Sequence, residues 1–234
     1  CVKFTYKVIF SDHIYMHNTV KNLLDIENKI KNTLNSPNIQ NNPKVIAVSK
    51  TFKIDKILPL IEHGHIDFGE NKVQEAVEKW TEIKNKNSQI NLHMIGKLQT
   101  NKVKYVIPLF DYIHSLDNLK LAEKIADQQL KLKKEVKIFI QVNIGNESQK
   151  NGIETQNLES FYKKCIDDFN LKIIGIMCIP PNDNLSVHFS KMRELSDNFK
   201  FSELSMGMSN DYLRACEYKT TFLRIGTKIF GSRN

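Results

Sequence analysis

The sequence predicts an α/β fold of one domain, a (β/α)8 TIM-type barrel. Two observations carry that expectation. Eight short apolar runs alternate with helix-length segments, and strands separated by helices pair in parallel, because parallel neighbours need a crossover connection. The chain length of 234 residues also comes close to the ~250 typical of that barrel. An open doubly wound sheet accommodates the same alternation; the count of eight favours closure.

The elements follow in order. Residues 1–15 lack the apolar core and cleavage site of a signal peptide and are set aside as an N-terminal extension, with Met16 as a candidate start. The barrel is expected over residues 16–234. Val20, Leu23, Leu24, Ile30 and Leu34 share one helical stripe over 19–34, with Asn18 or Thr19 as N-cap. After a polar loop, SPNIQNNP, strands are read at 44–49, 65–68, 91–95, 111–116, 136–143, 172–179, 201–205 and 220–225. Helices are read between them, near 54–62, 72–85, 98–107, 118–132, 155–168, 188–199 and 209–217. Asp117 is the expected cap of the 118–132 helix, whose Leu119, Ala122, Ile125 and Ala126 stand at helical spacing.

Composition narrows the function classes. The 41% hydrophobic content is enough for a sizeable core. The net charge of +8 invites a nucleic-acid partner, but the lysines are scattered, and the densest run, KLKKEVK, reads as a helix C-terminus. Nucleic acid is therefore not the expected partner. Cys1, Cys165, Cys178 and Cys216 are widely spaced, which points to reduced thiols and a cytoplasmic setting. No apolar run approaches the ~18 residues that span a bilayer, so no membrane association is expected. His63, His65, His93 and His114 lack a clustered carboxylate set, and no metal is expected.

The chemistry starts from VIAVSK. Lys50 is the one lysine that closes an apolar strand in this way, and a desolvated ammonium loses its proton more readily than an exposed one. A neutral amine at a strand end can condense with a carbonyl. Across the barrel, SMGMSND after strand seven and IGT after strand eight combine glycine, hydroxyls and a helix start, features that attract an anion. Each motif has a plainer reading alone: a snorkelling lysine, an N-cap, an interior ion pair for Arg224. Together, an amine facing a phosphate cradle points to pyridoxal 5′-phosphate (PLP), which carries both an aldehyde and a phosphate.

VIAVSKTF, HIDFGENKVQEAVEKW, LHMIGKLQTNKVK, SLDN, IFIQVNIGNESQKNGI, IIGIMCIPP, LSMGMSNDYLRA and FLRIGTKIFGSRN, in that order, resemble the pyridoxal phosphate homeostasis protein family. These are single-domain relatives of the alanine racemase N-terminal barrel, of fold type III. The resemblance implies that Lys50 holds PLP as an internal aldimine and that Arg224 reaches the pyridine nitrogen. It implies that Ser205, Ser209, Gly226 and Thr227 surround the phosphate and that Asn71 lines the pocket. Leu92, Lys97 and Lys219 stand where the family usually carries Trp, His and Gly.

The implied function is intracellular vitamin B6 homeostasis by a monomeric PLP carrier without strong catalytic activity. PLP-dependent apoenzymes or amino acids are its conceivable further partners. The alternative is a fold-type-III enzyme, an amino-acid racemase or decarboxylase. Those enzymes carry a second domain, which in the racemases supplies an opposite-face tyrosine, and none is read after GSRN.

Overall fold

A computed structural model describes residues 16–34, 42–147 and 149–232; the expected extension over 1–15 lies outside these residues. Eight parallel strands close into a barrel in sequence order. They are β1 (Lys44–Val48), β2 (Asp67–Glu70), β3 (Asn91–Met94), β4 (Tyr112–Leu116), β5 (Lys137–Val142), β6 (Ile173–Cys178), β7 (Glu203–Met208) and β8 (Phe222–Ile225). Closure comes from β8 against β1, with Ile46 opposite Arg224. The α-helices are α1 (Asn18–Leu34), α2 (Ile54–Glu62), α3 (Val73–Lys86), α4 (Val103–Leu109), α5 (Leu119–Leu132), α6 (Leu158–Asp167), α7 (Leu185–Asn198), α8 (Tyr212–Glu217) and α9 (Thr227–Phe230).

Two cores hold this arrangement. A continuous apolar layer, with Trp80, Phe110, Phe189 and Leu204 among its members, lies between sheet and helices. Inside the barrel, Ile46, Tyr112, Phe139, Met177 and Phe222 form a separate cluster. α1 packs on α2, α8 and α9, and Asn22 Nδ2 donates to Ile229 O at 2.9 Å. Burial pushes the thiols of Cys165, Cys178 and Cys216 up to about 12, so all three are poor nucleophiles.

Several expectations about local structure are corrected. His17, not Asn18 or Thr19, caps α1: its Nδ1 accepts the Thr19 N–H at 3.3 Å. Asn118, not Asp117, caps α5, accepting the Leu121 N–H at 2.9 Å. Gly69 lies within β2, where a Cβ would stand 2.9 Å from Ile46 Cγ2. The N-cap position of α3 falls on Lys72, one residue after Asn71.

The seventh strand shows the largest displacement. The apolar run at 201–205 suggested a strand ending at Ser205, but Phe201 packs on Tyr162 and Phe199 instead. The strand therefore begins at Glu203 and runs to Met208, which puts Ser205 inside it. Relative to β8, β7 carries one extra residue between Ser205 and Met208. Gly207 makes that bulge possible: its φ is 93°, and a Cβ would meet Ala215 Cβ at 2.6 Å. β4 has a similar bulge between Ile113 and Leu116, around His114.

Candidate functional site

The strand ends open on a pocket of about 380 Å³ lined by Lys50, Asn71, Ser209, Arg224, Gly226 and Thr227. Ile95, Ile179 and Met208 add apolar wall, and Asn182 and Asp211 add polar wall. The strand-end reading had not singled out Ile95, Ile179, Asn182 or Asp211. A larger groove, about 700 Å³, lies beside Leu130, Lys134 and Lys172 near the starts of β5 and β6. In this fold reactive groups gather at the opposite end of the strands.

Lys50 is two residues beyond β1 and half-buried, while Ser49 before it is fully buried. The expected lysine at the end of a buried strand is thus a lysine at the rim, carried by a turn. Phe52 N–H donates to Ser49 O at 3.2 Å, and Thr51 adopts φ of 68°, a left-handed value that is uncommon outside glycine.

A polar hub holds this turn from behind. Glu70 Oε1 accepts from Ser49 Oγ at 2.8 Å, Trp80 Nε1 at 3.0 Å and Lys79 Nζ at 3.0 Å. Lys79 Nζ also donates to Ser49 O at 3.0 Å and to Glu75 Oε1 at 2.9 Å. Glu75 Oε1 accepts the Thr51 N–H as well. Every bond ends on the backbone or side chain flanking Lys50, or on a partner of such a group. The spacing of Glu75 and Lys79 signals a helical ion pair, but nothing in the sequence signals its reach to Ser49.

Arg224 is held differently. It is 4% exposed, donating from Nη1 to Ser205 Oγ at 2.6 Å and from Nη2 to Cys178 O at 2.7 Å. Both acceptors are neutral. Burial pulls the guanidinium below its ordinary value, partly countered by Cys178 and Asp211. Ser205 is completely buried and does not line the pocket; its hydroxyl also bonds His114 Nδ1 at 3.0 Å. His114 Nε2 meets His93 Nδ1 at 3.0 Å, and His93 Nε2 meets Asp67 Oδ1 at 3.0 Å. His93 and His114 thus lie in the barrel interior, bonded to Asp67 and Ser205. Among the described residues no group of three or more His, Cys, Asp and Glu is arranged for a metal.

Between β7 and α8 the expected helix start at 209 is absent. Ser209–Asp211 form a turn and α8 begins at Tyr212. Asp211 closes that turn by accepting the Met208 N–H. Gly226 N–H donates to Ser209 Oγ at 3.3 Å, tying the loop after β7 to the one after β8. Asn71 Oδ1 is buried without a hydrogen-bond partner among the described residues.

The model of the alanine racemase N-terminal domain family matches residues 24–234. A pyridoxal phosphate homeostasis protein from Haemophilus influenzae is 37% identical over 229 residues, covering 93% of this chain and 97% of the relative. The chain belongs to the pyridoxal phosphate homeostasis protein family. Another relative of that name, from Aquifex aeolicus, is 37% identical over 204 residues, covering 83% of this chain and 89% of its own length. PipY of Synechococcus elongatus PCC7942, solved without PLP, superposes with a TM-score of 0.80 at 29% identity, covering 92% of this chain and all of PipY. Its PLP-bound structure gives a TM-score of 0.76, with 91% of this chain and all of PipY covered. An alanine racemase from Clostridium difficile shares the fold, with a TM-score of 0.69 at 13% identity; 92% of this chain covers 57% of the racemase.

The three departures from the family's usual pattern lie outside the pocket lining. Leu92 is fully buried in the outer core, Lys97 Nζ donates to Asn151 Oδ1 at 2.8 Å, and Lys219 adopts φ of 55° before β8. Among the described residues no helix is long and apolar enough to cross a membrane.

Proposed function

We propose that this protein binds pyridoxal 5′-phosphate in the pocket at the barrel mouth, held as an aldimine on Lys50. In this reading it is a one-domain cytoplasmic carrier, monomeric over 16–234, that stores and passes on the cofactor. The observation that carries the proposal is the meeting of Lys50 and buried Arg224 on one pocket. The homeostasis relatives and PLP-bound PipY support it.

The residues present suit such a ligand. The cofactor supplies an aldehyde for the amine and a ring that withdraws electrons. The Lys50 amine stands at the rim, where a carbonyl can reach it. Arg224, a donor only, has N–H groups to offer a ring acceptor and would leave the pyridine nitrogen unprotonated. Asn71 Oδ1 is a buried acceptor awaiting a donor. Ser209, Gly226 and Thr227 form the wall assigned to the phosphate, whereas Ser205 serves Arg224 rather than the phosphate.

Strong catalysis does not belong to this reading. Stereoinversion needs a second acid–base facing the lysine. Besides Lys50 and Arg224, the titratable group lining the pocket is Asp211, whose carboxylate is engaged by the Met208 N–H. Apoenzymes and amino acids remain the proposed recipients and secondary ligands.

Borohydride reduction followed by peptide mapping tests the assignment. A phosphopyridoxyl group is expected on the peptide containing Lys50 and absent in Lys50→Ala; an adduct mainly on Lys53 or Lys102 overturns it. Charge-assisted bonds to phosphate contribute roughly 1.5–3 kcal/mol each. Two of them should make PLP bind at least ~100-fold more tightly than pyridoxal. Ser209→Ala with Thr227→Val should shrink that ratio, and equal binding of both vitamers by the unaltered protein removes the phosphate wall.

A further inference from the structure

Arg224, Ser205, His114, His93 and Asp67 form an unbroken hydrogen-bonded line through the barrel interior, each link between 2.6 and 3.0 Å. It joins β8, β7, β4, β3 and β2, so it crosses the space enclosed by the sheet. All five side chains are buried. Buried polar groups are costly unless satisfied, and a fully satisfied network specifies one arrangement.

The chemistry of the two ends, with both rings neutral, sets the direction of every link. Arginine can only donate, and an ionised carboxylate can only accept. Asp67 is held below the ordinary carboxylate value: burial raises it, but the bonds from His93 and Asn91 outweigh that. His93 therefore donates from Nε2–H to Asp67, leaving Nδ1 to accept from His114 Nε2–H. His114 Nδ1 then accepts the Ser205 proton, and Ser205 Oγ accepts from Arg224. Burial lowers His93 and, well below the ordinary value, His114, in keeping with two neutral rings. A second proton on His93 would confront the His114 Nε2–H.

Stacking holds the rings in the planes this requires. His93 lies on Tyr112 with centroids 4.2 Å apart and planes at 10°, and His114 lies on Phe139 at 4.2 Å and 18°. Phe222 closes against both. Each ring nitrogen is thereby aimed in its plane at the next partner.

We propose that Ser205, His114, His93 and Asp67 are positioning residues forming a one-way relay that commits Arg224 Nη1 to the barrel interior and, with the Nη2 bond to Cys178 O, fixes how the guanidinium meets the pocket it lines. The cation at its head touches only neutral acceptors, and the carboxylate whose charge acts on it is Asp211 across the pocket, so the relay contributes direction rather than counter-charge. Its consequence for a bound ring rests on the PLP reading; the relay itself does not.

Nitrogen-15 NMR of the histidines, on cofactor-free and PLP-loaded protein, reads the relay directly. His93 and His114 are both expected as neutral Nε2–H tautomers at pH 7. Asp67→Ala removes the terminal acceptor, and His114, which Asp67 does not touch, should shift toward Nδ1–H. Asp67→Asn retains an acceptor oxygen and should restore the original tautomers. In loaded protein Asp67→Ala should shift the cofactor absorption band and weaken PLP binding by roughly tenfold, the low end for outer-shell partners, with the Lys50 adduct still forming. An imidazolium or Nδ1–H form at either ring of the unaltered protein overturns the relay, as does an unchanged His114 in a folded Asp67→Ala. If Asp67→Ala does not fold, the tautomers of the unaltered protein and of Asp67→Asn decide. Predicted tautomers in a protein that does not take PLP would support the relay and defeat the cofactor reading.

Discussion

On the β1 side of the pocket, the support for Lys50 is ionic, reaches the surface through Glu75, and grips backbone: Ser49 O and Thr51 N–H are among its bonded atoms. On the β8 side, the support for Arg224 is wholly interior, and its own guanidinium is the bonded group. The contrast fits the proposed cofactor reading. For an amine proposed to condense with a carbonyl, clamping the flanking backbone sets its position. For a cation proposed to orient a ring, the direction of its N–H bonds matters, and there the side chain itself is fixed.

The largest expected effect breaks the first support. Glu70→Ala strands Trp80 Nε1, removes one bond of Lys79 and leaves Ser49 Oγ only its long bond to Gly69 O at 3.4 Å, at a fully buried site. Removing one partner of such a buried pair destabilises by about 3–5 kcal/mol, to be measured by urea unfolding. Glu75→Ala, at the more exposed end, should lose less than about 1 kcal/mol. Equal losses would erase the distinction between a buried hub and its surface arm.

The second support should reveal itself through pH. His93 and His114 have folded-state values below the unfolded ~6.5. Below that pH the unfolded chain binds protons the folded chain refuses, so stability is fullest above ~6.5 and falls as the solution is acidified toward the folded values. The slope approaches about 1.4 kcal/mol per pH unit for each histidine, and His65, lowered chiefly by burial, adds to the same window. His93→Phe should make it shallower, and Glu75→Ala should leave it unchanged above about pH 5, where that carboxylate is ionised in both states. Asp67, whose value is lowered instead, adds stability above the unfolded ~3.9 that is lost only as pH falls through its folded value. Asp111 and Lys44 also act on His93, and Arg224 on His114, so the slope belongs to this whole group.

The smallest effect concerns the approach to β8. Lys219 holds φ of 55°, a left-handed value that suits glycine better than lysine. Lys219→Gly relieves a left-handed strain of about 1–2 kcal/mol and loses part of that to the entropy of the unfolded chain. The net gain should stay under ~1 kcal/mol in unfolding experiments, with the PLP absorption band unmoved. A shifted band would mean that the turn before β8 helps to aim Arg224.

Much of this molecule is determined by local sequence. The alternation of apolar runs and amphipathic stretches dictates strand and helix, and a lysine just past a buried strand places the amine at the mouth. Asn71, Ser209, Arg224, Gly226 and Thr227 all lie at strand ends, which in a parallel barrel face one way, and the family resemblance picked them out from the other residues there. Ser205 could not. Its place depends on Phe201 joining the helical layer and on the bulge at Gly207, both settled by packing. The line from Arg224 to Asp67 was equally hidden. His93 and His114 are 21 residues apart, and their nitrogens meet only because barrel closure, strand register and the bulge in β4 turn both rings inward. Local sequence carries the period of a strand; which side chains touch across the barrel is a property of the closed sheet, and the tertiary structure alone decided it.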